Sequence, residues 1–333
     1  MSRTTQSARR APQGLQTAGT GWSMRRLAGI DLLTADRLAE IPWLVHGFST
    51  RAGGASALCG ARVLNVGLTK WDSARAVEQN RGKLLRALGV PQLPLVTLQQ
   101  IHSDIAHLVT AIPAAQATDS AAGAPRGDAL LTREPAVLLG VQAADCVPVL
   151  LADTVTHAVA AVHAGWRGTL GRVVSKAVGR MRLEFGTRPA DLVAAIGPAI
   201  GRCCYEVGPE VAQAFLAQFA TAAEWFDGPF ERLCQGEEPN FLPWLSMAPP
   251  GHDPPAERVQ LDLRAANRWQ LLDAGLPARN IAASAICTAC RTDLLFSYRR
   301  EGPETGRQAG VIGIRAVAYA PSASGPGRQA PQP

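Results

Sequence analysis

Two imidazoles and one thiol carry the chemistry this sequence offers. His102 lies in QQIHS, Cys146 in ADCVP and His163 in VHAGWRG, each beside small or polar residues. Together they make a two-histidine, one-cysteine set. That is the composition of a catalytic zinc site, in which three protein ligands leave a fourth position for water or substrate. The same residues support a second chemistry, with Cys146 as nucleophile and His163 as its base. A third reading needs no chemistry: packed core histidines and an inert buried thiol. Asp128 and Asp145 are the nearest acids in the chain, and either could orient an imidazole or shuttle a proton. Asp128 reads as a turn residue, so Asp145, adjacent to the thiol, is the favoured catalytic acid.

Several basic side chains are placed to bind an anion. Arg51 precedes Gly53-Gly54, Arg167 follows His163 at the start of a helical pattern, and Arg307 ends a segment that also holds Arg299 and Arg300. A guanidinium beside free backbone amides can grip a phosphate. The plainer readings are a tight turn at 52–56 and a solvated basic face at Arg299 and Arg300. Cys287 and Cys290 have C-x-x-C spacing. A structural zinc site needs a second pair, and Cys203-Cys204 is too close-set for an ordinary chelating pair, so Cys287 is expected to pack in the core.

The elements that must position the trio follow from apolar patterning. Residues 147–151 and 158–162 are short apolar runs bounded by turn residues, the pattern of buried strands. Paired as an antiparallel hairpin through 153–156, they bring Cys146, which enters the first, beside His163, which leaves the second. A strand over 96–102 is expected to end at His102. An amphipathic stripe over 170–185 predicts a helix, placing His163 just before its N-terminus, where free amides and the helix dipole favour an anion. Further helices are expected at 34–40 (capped by Thr34), 73–88, 209–219 and 263–274. Strands are expected at 45–51, 104–112, 127–132, 136–141, 192–196, 283–287, 295–297 and 311–317, with a loop over 113–126. This mixture indicates an α+β fold more than a doubly wound parallel sheet.

With 333 residues, 47% of them apolar, the chain can bury a large core. Its formal charge of +6 is concentrated at the ends. Residues 1–26 hold five Arg and no acid and residues 320–333 one Arg and no acid, which leaves 27 basic against 27 acidic residues between them. A neutral core argues against nucleic acid as a partner. No apolar run reaches membrane-spanning length. Seven scattered cysteines, an odd number, indicate a reducing compartment. The first 26 residues lack the apolar stretch of a secretory signal; they fit a transit peptide or, the reading taken here, a disordered basic extension, with Met24 as an alternative start. A single catalytic domain is expected over 27–319, carrying a Pro-rich surface insertion at 234–258 and followed by a disordered tail at 320–333. The expected location is a bacterial cytoplasm.

Taken together, HGFSTRAGG (46–54), QQIHS (99–103), GDALLT (127–132), ADCVPVLL (144–151), AVHAGWRGT (161–169), IGPAIGRCCYEVG (196–208), LDLRAANRWQLLDAGL (261–276) and CTACRTDLLFSYRREGPETGR (287–307) resemble the YfiH family, also called the laccase-domain or polyphenol oxidase family. The resemblance implies that His102, Cys146 and His163 bind a metal, zinc or copper in its place. It also implies an α+β sandwich of mixed or antiparallel sheets flanked by helices, similar to the deamidase toxins. The implied activity is phosphorolysis of adenosine, inosine, guanosine or methylthioadenosine, with deamination of adenosine. The small-molecule partners would be purine nucleosides and phosphate, the latter held by Arg51, Arg167 and Arg307. The family's other label, peptidoglycan editing factor, would suit a Cys146/His163 hydrolase acting on cell-wall precursors. A four-copper oxidase needs about ten imidazole ligands, and this chain has six histidines. A single-copper polyphenol oxidoreductase remains compatible with the trio.

Overall fold

The computed structural model describes residues 21–58, 60–110, 124–228 and 258–315. The expectations for residues 1–20, for most of the 113–126 loop, for nearly all of the 234–258 insertion and for the 320–333 tail lie outside those residues.

Within the described residues, two six-stranded sheets pack face to face, their strands numbered in chain order. The first sheet runs, in spatial order, β1 (Trp22–Leu27), β2 (Ile30–Ala35), β3 (Leu44–Ser49), β17 (Gln308–Ile314), β9 (Leu138–Ala143) and β6 (Leu95–Val96). The second runs β16 (Ile281–Ala283), β12 (Leu192–Ile196), β10 (Val147–Asp153), β11 (Val159–Ala164), β8 (Ala129–Thr132) and β7 (Ala106–Leu108). Smaller pairings join β4 (Ala52–Leu58) to β5 (Ala61–Val63), and β13 (Glu206–Val207) and β14 (Phe226–Asp227) to β15 (Val259–Leu261). Most pairs are antiparallel; β6 with β9, β7 with β8 and β12 with β16 are parallel. The helices are α1 (Asp36–Ala39), α2 (Ala74–Ala87), α3 (Trp166–Leu170), α4 (Val173–Phe185), α5 (Pro209–Gln218), α6 (Leu263–Asp273) and α7 (Tyr298–Glu301). The fold is α+β with mixed sheets. No helix among the described residues is long and apolar enough to cross a membrane.

The alternation of side chains along each strand assigns the layers. On β10, Leu150 and Ala152 face the other sheet with Leu139, Val141, Phe48 and Ile312. Val149 and Leu151 face the opposite way, against Val174 and Val178 of α4 and Leu271 of α6. Leu84 of α2 covers the outer face of the first sheet with Leu32, Val45 and Val311. Both faces of β10 and β11 are therefore buried, which is why their sequences read as near-continuous apolar runs.

Several elements depart from expectation, each for a physical reason. Order extends ahead of Leu27, because β1 pairs along its whole length with β2. Thr34 lies within β2, and α1 starts after Ala35 with no side-chain cap. The helix expected over 170–185 is split by Arg172 in a left-handed conformation (φ 61), its guanidinium stacked on Phe219 and Trp269 at 4.7 and 5.6 Å. The strand expected over 96–102 is reduced to a pairing at Leu95 and Val96 and an isolated parallel bridge between Gln99 and Arg126, and the chain then bends at His102. Residues 295–297 form no strand: Leu295 and Phe296 are buried, and Ser297 accepts a hydrogen bond from the Arg300 amide to cap α7.

The Gly-Gly turn expected at 52–56 is instead part of β4, whose register against β5 shifts by a bulge between Ala52 and Ser56. These glycines serve close approach. Gly53 has φ 88, and a Cβ on Gly54 would overlap the Val63 carbonyl. Since the obstacle is backbone, Gly54→Ala is expected to lower stability by about 3 kcal/mol, read as a shift in urea midpoint at unchanged slope. An unchanged midpoint would refute this account of the bulge.

Candidate metal centre and active site

The hairpin sets the first two members of the trio. β10 and β11 pair with Val147 opposite Ala164 and Pro148 opposite His163, so Cys146, one residue before β10, lies beside the end of β11. His102 arrives from the segment between β6 and β7, its backbone left-handed at φ 58. A non-glycine residue held in that region is a strained conformation that surrounding contacts must impose. The three potential donor atoms lie within 4.8 Å of one another. The His102 Nε2 stands 3.8 Å from the Cys146 Sγ, and the two imidazole rings meet edge to face at 5.1 Å. His163 is buried, Cys146 half-buried and His102 exposed, so the cluster opens to solvent on the His102 side.

Asp128 organises this cluster. It immediately precedes β8, which pairs with β11, and its carbonyl accepts from the His163 amide at 2.7 Å. Its buried carboxylate accepts from His163 Nδ1 at 2.8 Å, the His102 amide at 3.1 Å, the Ser103 amide at 2.5 Å and the Ser103 hydroxyl at 2.7 Å. With Nδ1 so engaged, Nε2 is the ring nitrogen left to face a ligand, the arrangement by which a carboxylate fixes a metal-binding imidazole. The favoured acid, Asp145, is placed otherwise. Its carboxylate accepts from Thr288 Oγ1 at 2.5 Å and from the Arg299 amide at 2.6 Å, and its backbone is left-handed at φ 93. The bend at 144–146 and these two hydrogen bonds turn its carboxylate toward Thr288 and α7.

The donor chemistry fits a metal. Gly165 closes one side, where a Cβ would come within 2.8 Å of the His102 ring and 3.0 Å of the Cys146 Sγ, so the cluster needs a residue without a side chain there. Burial works to raise the Cys146 thiol, but the His163 charge and hydrogen bonds from both imidazoles prevail and bring it to about 6. Burial works to lower His163, yet the neighbouring thiolate and Asp128 hold it above the usual imidazole range. The metal-free protein is therefore expected to hold a thiolate and imidazolium pair, with Cys146 alkylated by iodoacetamide at neutral pH and the rate falling only below about pH 6. A rate that instead rises through the pH range of an ordinary thiol, about 8.5, would contradict this electrostatic account.

The three candidate arginines part company. Arg51 is committed to Glu301, 2.5 Å from Nη1, and donates to the Thr292 carbonyl at 2.8 Å. That carboxylate neutralises its charge. Arg167 is exposed, with its guanidinium stacked 4.1 Å from the Trp166 ring. Arg307 is half-buried, donates to the Thr305 and Gly306 carbonyls, and lies in the field of Cys146, Tyr298 and Asp145. Tyr205 escaped notice in the sequence. Burial and then the charges of Cys146 and Asp145 push its phenol up, while Arg299 and Arg167 oppose them, which sets it in the same electrostatic neighbourhood. Arg299 stacks on its ring at 5.2 Å. The signal available was its place in CCYEV, facing SYRR across the chain.

The model of the family described as multi-copper polyphenol oxidoreductase laccase matches residues 45–315. The chain belongs to that family. Its relatives include the purine nucleoside phosphorylase YlmD of Geobacillus stearothermophilus, 36% identical over 272 residues, or 81% of this chain and 90% of that protein. Another is the adenosine deaminase RL5 of an unknown prokaryotic organism, 35% identical over 268 residues, or 79% and 91% of the two chains. Among solved structures, the hypothetical protein YfiH of Bacillus licheniformis superposes with a TM-score of 0.72 at 30% identity, covering 88% of this chain and 99% of that one. Homologues over most of this laccase-family chain are thus purine nucleoside phosphorylases and an adenosine deaminase.

This laccase-family chain also gathers a second set of sulfurs. Cys203, Cys204, Cys287 and Cys290 bring their Sγ atoms within 4.8 Å of one another. The sequence expectation that Cys203-Cys204 sits too tightly to act with Cys287 and Cys290 is corrected by a turn: the Cys204 and Tyr205 amides both donate to the Gly201 carbonyl, and both thiols then approach Cys290, at 3.6 and 3.4 Å.

Proposed function

We propose that this chain is a zinc-dependent purine nucleoside phosphorylase that also deaminates adenosine, with His102, Cys146 and His163 as metal ligands. The observation that carries the reading is the convergence of three donor atoms from separate segments within 4.8 Å, with the tautomer of His163 fixed by Asp128. Zinc, when bound, supplies a Lewis acid that polarises a substrate oxygen and makes water a nucleophile at neutral pH.

The chain's own residues do the rest. Asp128 holds the His163 ring so that Nε2 faces the site. Asp145 acts through position, tying the residue before Cys146 to Thr288 and to α7. Arg167 and Arg307 hold phosphate so that one of its oxygens forms a bond to the ribose C1′ as the bond from C1′ to the purine nitrogen breaks. In deamination, water adds at the purine C6 and ammonia leaves. Arg51, paired with Glu301, braces the segment around α7 and leaves the phosphate to the other two.

The test is release of base from inosine plus phosphate, with metal content measured on the same sample. Activity lost to a chelator and restored by zinc supports the reading; restoration by copper alone would point to that metal in zinc's place. The Cys146 and His163 ion pair favours a second reading, a cysteine hydrolase acting on cell-wall precursors. Chelator-indifferent, iodoacetamide-sensitive amide hydrolysis would select it over the first.

A further inference from the structure

Outside the trio, the four-cysteine cluster is the densest set of metal-binding side chains among the described residues. Its two halves come from turns locked side by side: Ala199 and Cys287 form a parallel bridge, and the Thr288 amide donates to the Ala199 carbonyl at 3.1 Å. The Gly201 amide donates to the Cys287 Sγ at 3.1 Å. An amide aimed at sulfur stabilises a thiolate over a thiol. Gly201 itself has little room, since a Cβ would come within 3.2 Å of both the Cys203 Sγ and the Cys287 Cβ. Two guanidinium groups lie alongside. Arg264 donates to the Ser284 carbonyl at 2.7 Å, and Arg300 to the Ala289 carbonyl at 3.3 Å.

We propose that Cys203, Cys204, Cys287 and Cys290 form a second metal centre, a closed tetrathiolate site for one zinc ion. Four sulfurs at a zinc–sulfur distance of about 2.3 Å stand roughly 3.8 Å apart in a tetrahedron. The observed separations to Cys290 of 3.6 and 3.4 Å, with all four sulfurs inside 4.8 Å, need only small side-chain adjustments to reach that geometry. Binding replaces four thiol protons, released to solvent, with one divalent cation, and the site carries a net double negative charge beside segments held by Arg264 and Arg300. With four protein ligands it has no open position, so its role is structural. That role has a direction. The Ile200 amide donates to the Asp145 carbonyl at 2.9 Å and Thr288 Oγ1 to its carboxylate at 2.5 Å, so the two cysteine turns grip the residue that precedes Cys146. The second ion would hold the trio's thiol in register from behind. The proposal stands apart from the nucleoside reading, because it concerns what the chain binds and not what it converts.

The test is metal stoichiometry on the full chain, purified under reducing conditions from zinc-supplemented cells and passed over a chelating resin. His163→Ala, which breaks the trio, is expected to keep one zinc per chain; adding Cys287→Ser and Cys290→Ser to it is expected to remove that zinc. Cobalt loaded into His163→Ala should give the intense thiolate-to-metal absorption of a four-sulfur site. Should the triple variant fail to fold, mass-spectrometric mapping of iodoacetamide labelling on His163→Ala decides the matter. The four cysteines are expected to be protected together until zinc is stripped under mild denaturant. Two results would overturn the proposal: a His163→Ala chain without metal and with all four thiols freely alkylated, or a non-reducing peptide map showing Cys290 disulfide-bonded to Cys203 or Cys204.

Discussion

His163→Ala is expected to lower the turnover of inosine with phosphate by about a thousandfold, equivalent to about 4 kcal/mol of transition-state stabilisation, while the far-ultraviolet circular dichroism stays that of the native chain. His163 is buried, its Nδ1 is tied to Asp128 and its Nε2 is the nitrogen left for a ligand. Alanine there therefore removes a metal donor and an imidazole that no neighbour replaces. Steady-state kinetics over a range of zinc concentrations would check this. A variant that keeps wild-type turnover after treatment with chelator would sink the assignment, since no purine chemistry at the trio survives the loss of its most enclosed ligand.

Asp128→Ala should be the most destabilising single change near the site. The carboxylate accepts from the His102 and Ser103 amides, the Ser103 hydroxyl and His163. Buried donors left without a partner cost about 1–3 kcal/mol each. The sum, on the order of 5 kcal/mol, rivals the whole stability of a typical domain. Asp128→Asn keeps the shape and is the more informative variant. It retains part of the acceptor set but weakens the hold on His163, so zinc affinity is expected to fall by about 10–100-fold in competition with a chelating dye. Unchanged affinity in the Asn variant would show that the tautomer needs no carboxylate. The same contacts give a pH signature. Burial opposes ionisation of Asp128, but the hydrogen bonds from His163 and Ser103 win and lower its pKa to about 2. A carboxyl held below its unfolded value stabilises the fold at pH above about 4, and that contribution is lost as pH falls toward about 2. Asp128→Asn should flatten this acid limb of the stability curve.

How far the sequence disclosed these features depended on the range of the forces involved. The β10–β11 hairpin was legible because two apolar runs bounded by turn residues leave few other pairings, and strand polarity alone then makes Cys146 and His163 neighbours. Helix α2 was legible from its spaced apolar residues ahead of Gly89, and the structure adds a cap at Ser73, whose hydroxyl accepts from the Ala76 amide. What stayed hidden was set by contacts distant in sequence. Asp128 looked like a turn residue, since nothing local reveals that three consecutive residues, Ile101 to Ser103, fold their amides around it. His102 looked like a strand end because its left-handed backbone follows from that same carboxylate. The paired cysteines at 203 and 204 looked too crowded to act together, and only the turn at Gly201, set against a segment more than eighty residues away, gives them a common target. Arg51 kept its apparent freedom until Glu301 was found beside it.

The placement of β17 bears on how the protein comes into being. The last described strand of the chain lies in the middle of the first sheet, hydrogen-bonded to β3 on one side and β9 on the other. Until residues 308–314 are made, β3 and β9 have no strand to bridge them, and the edges that β17 will join stay unpaired. Closure therefore joins Val311 to Gly47, segments far apart along the chain, the kind of long-range pairing that folds slowly. A premature stop just ahead of Gln308 would remove the keystone of the first sheet while every ligand of the trio stays encoded.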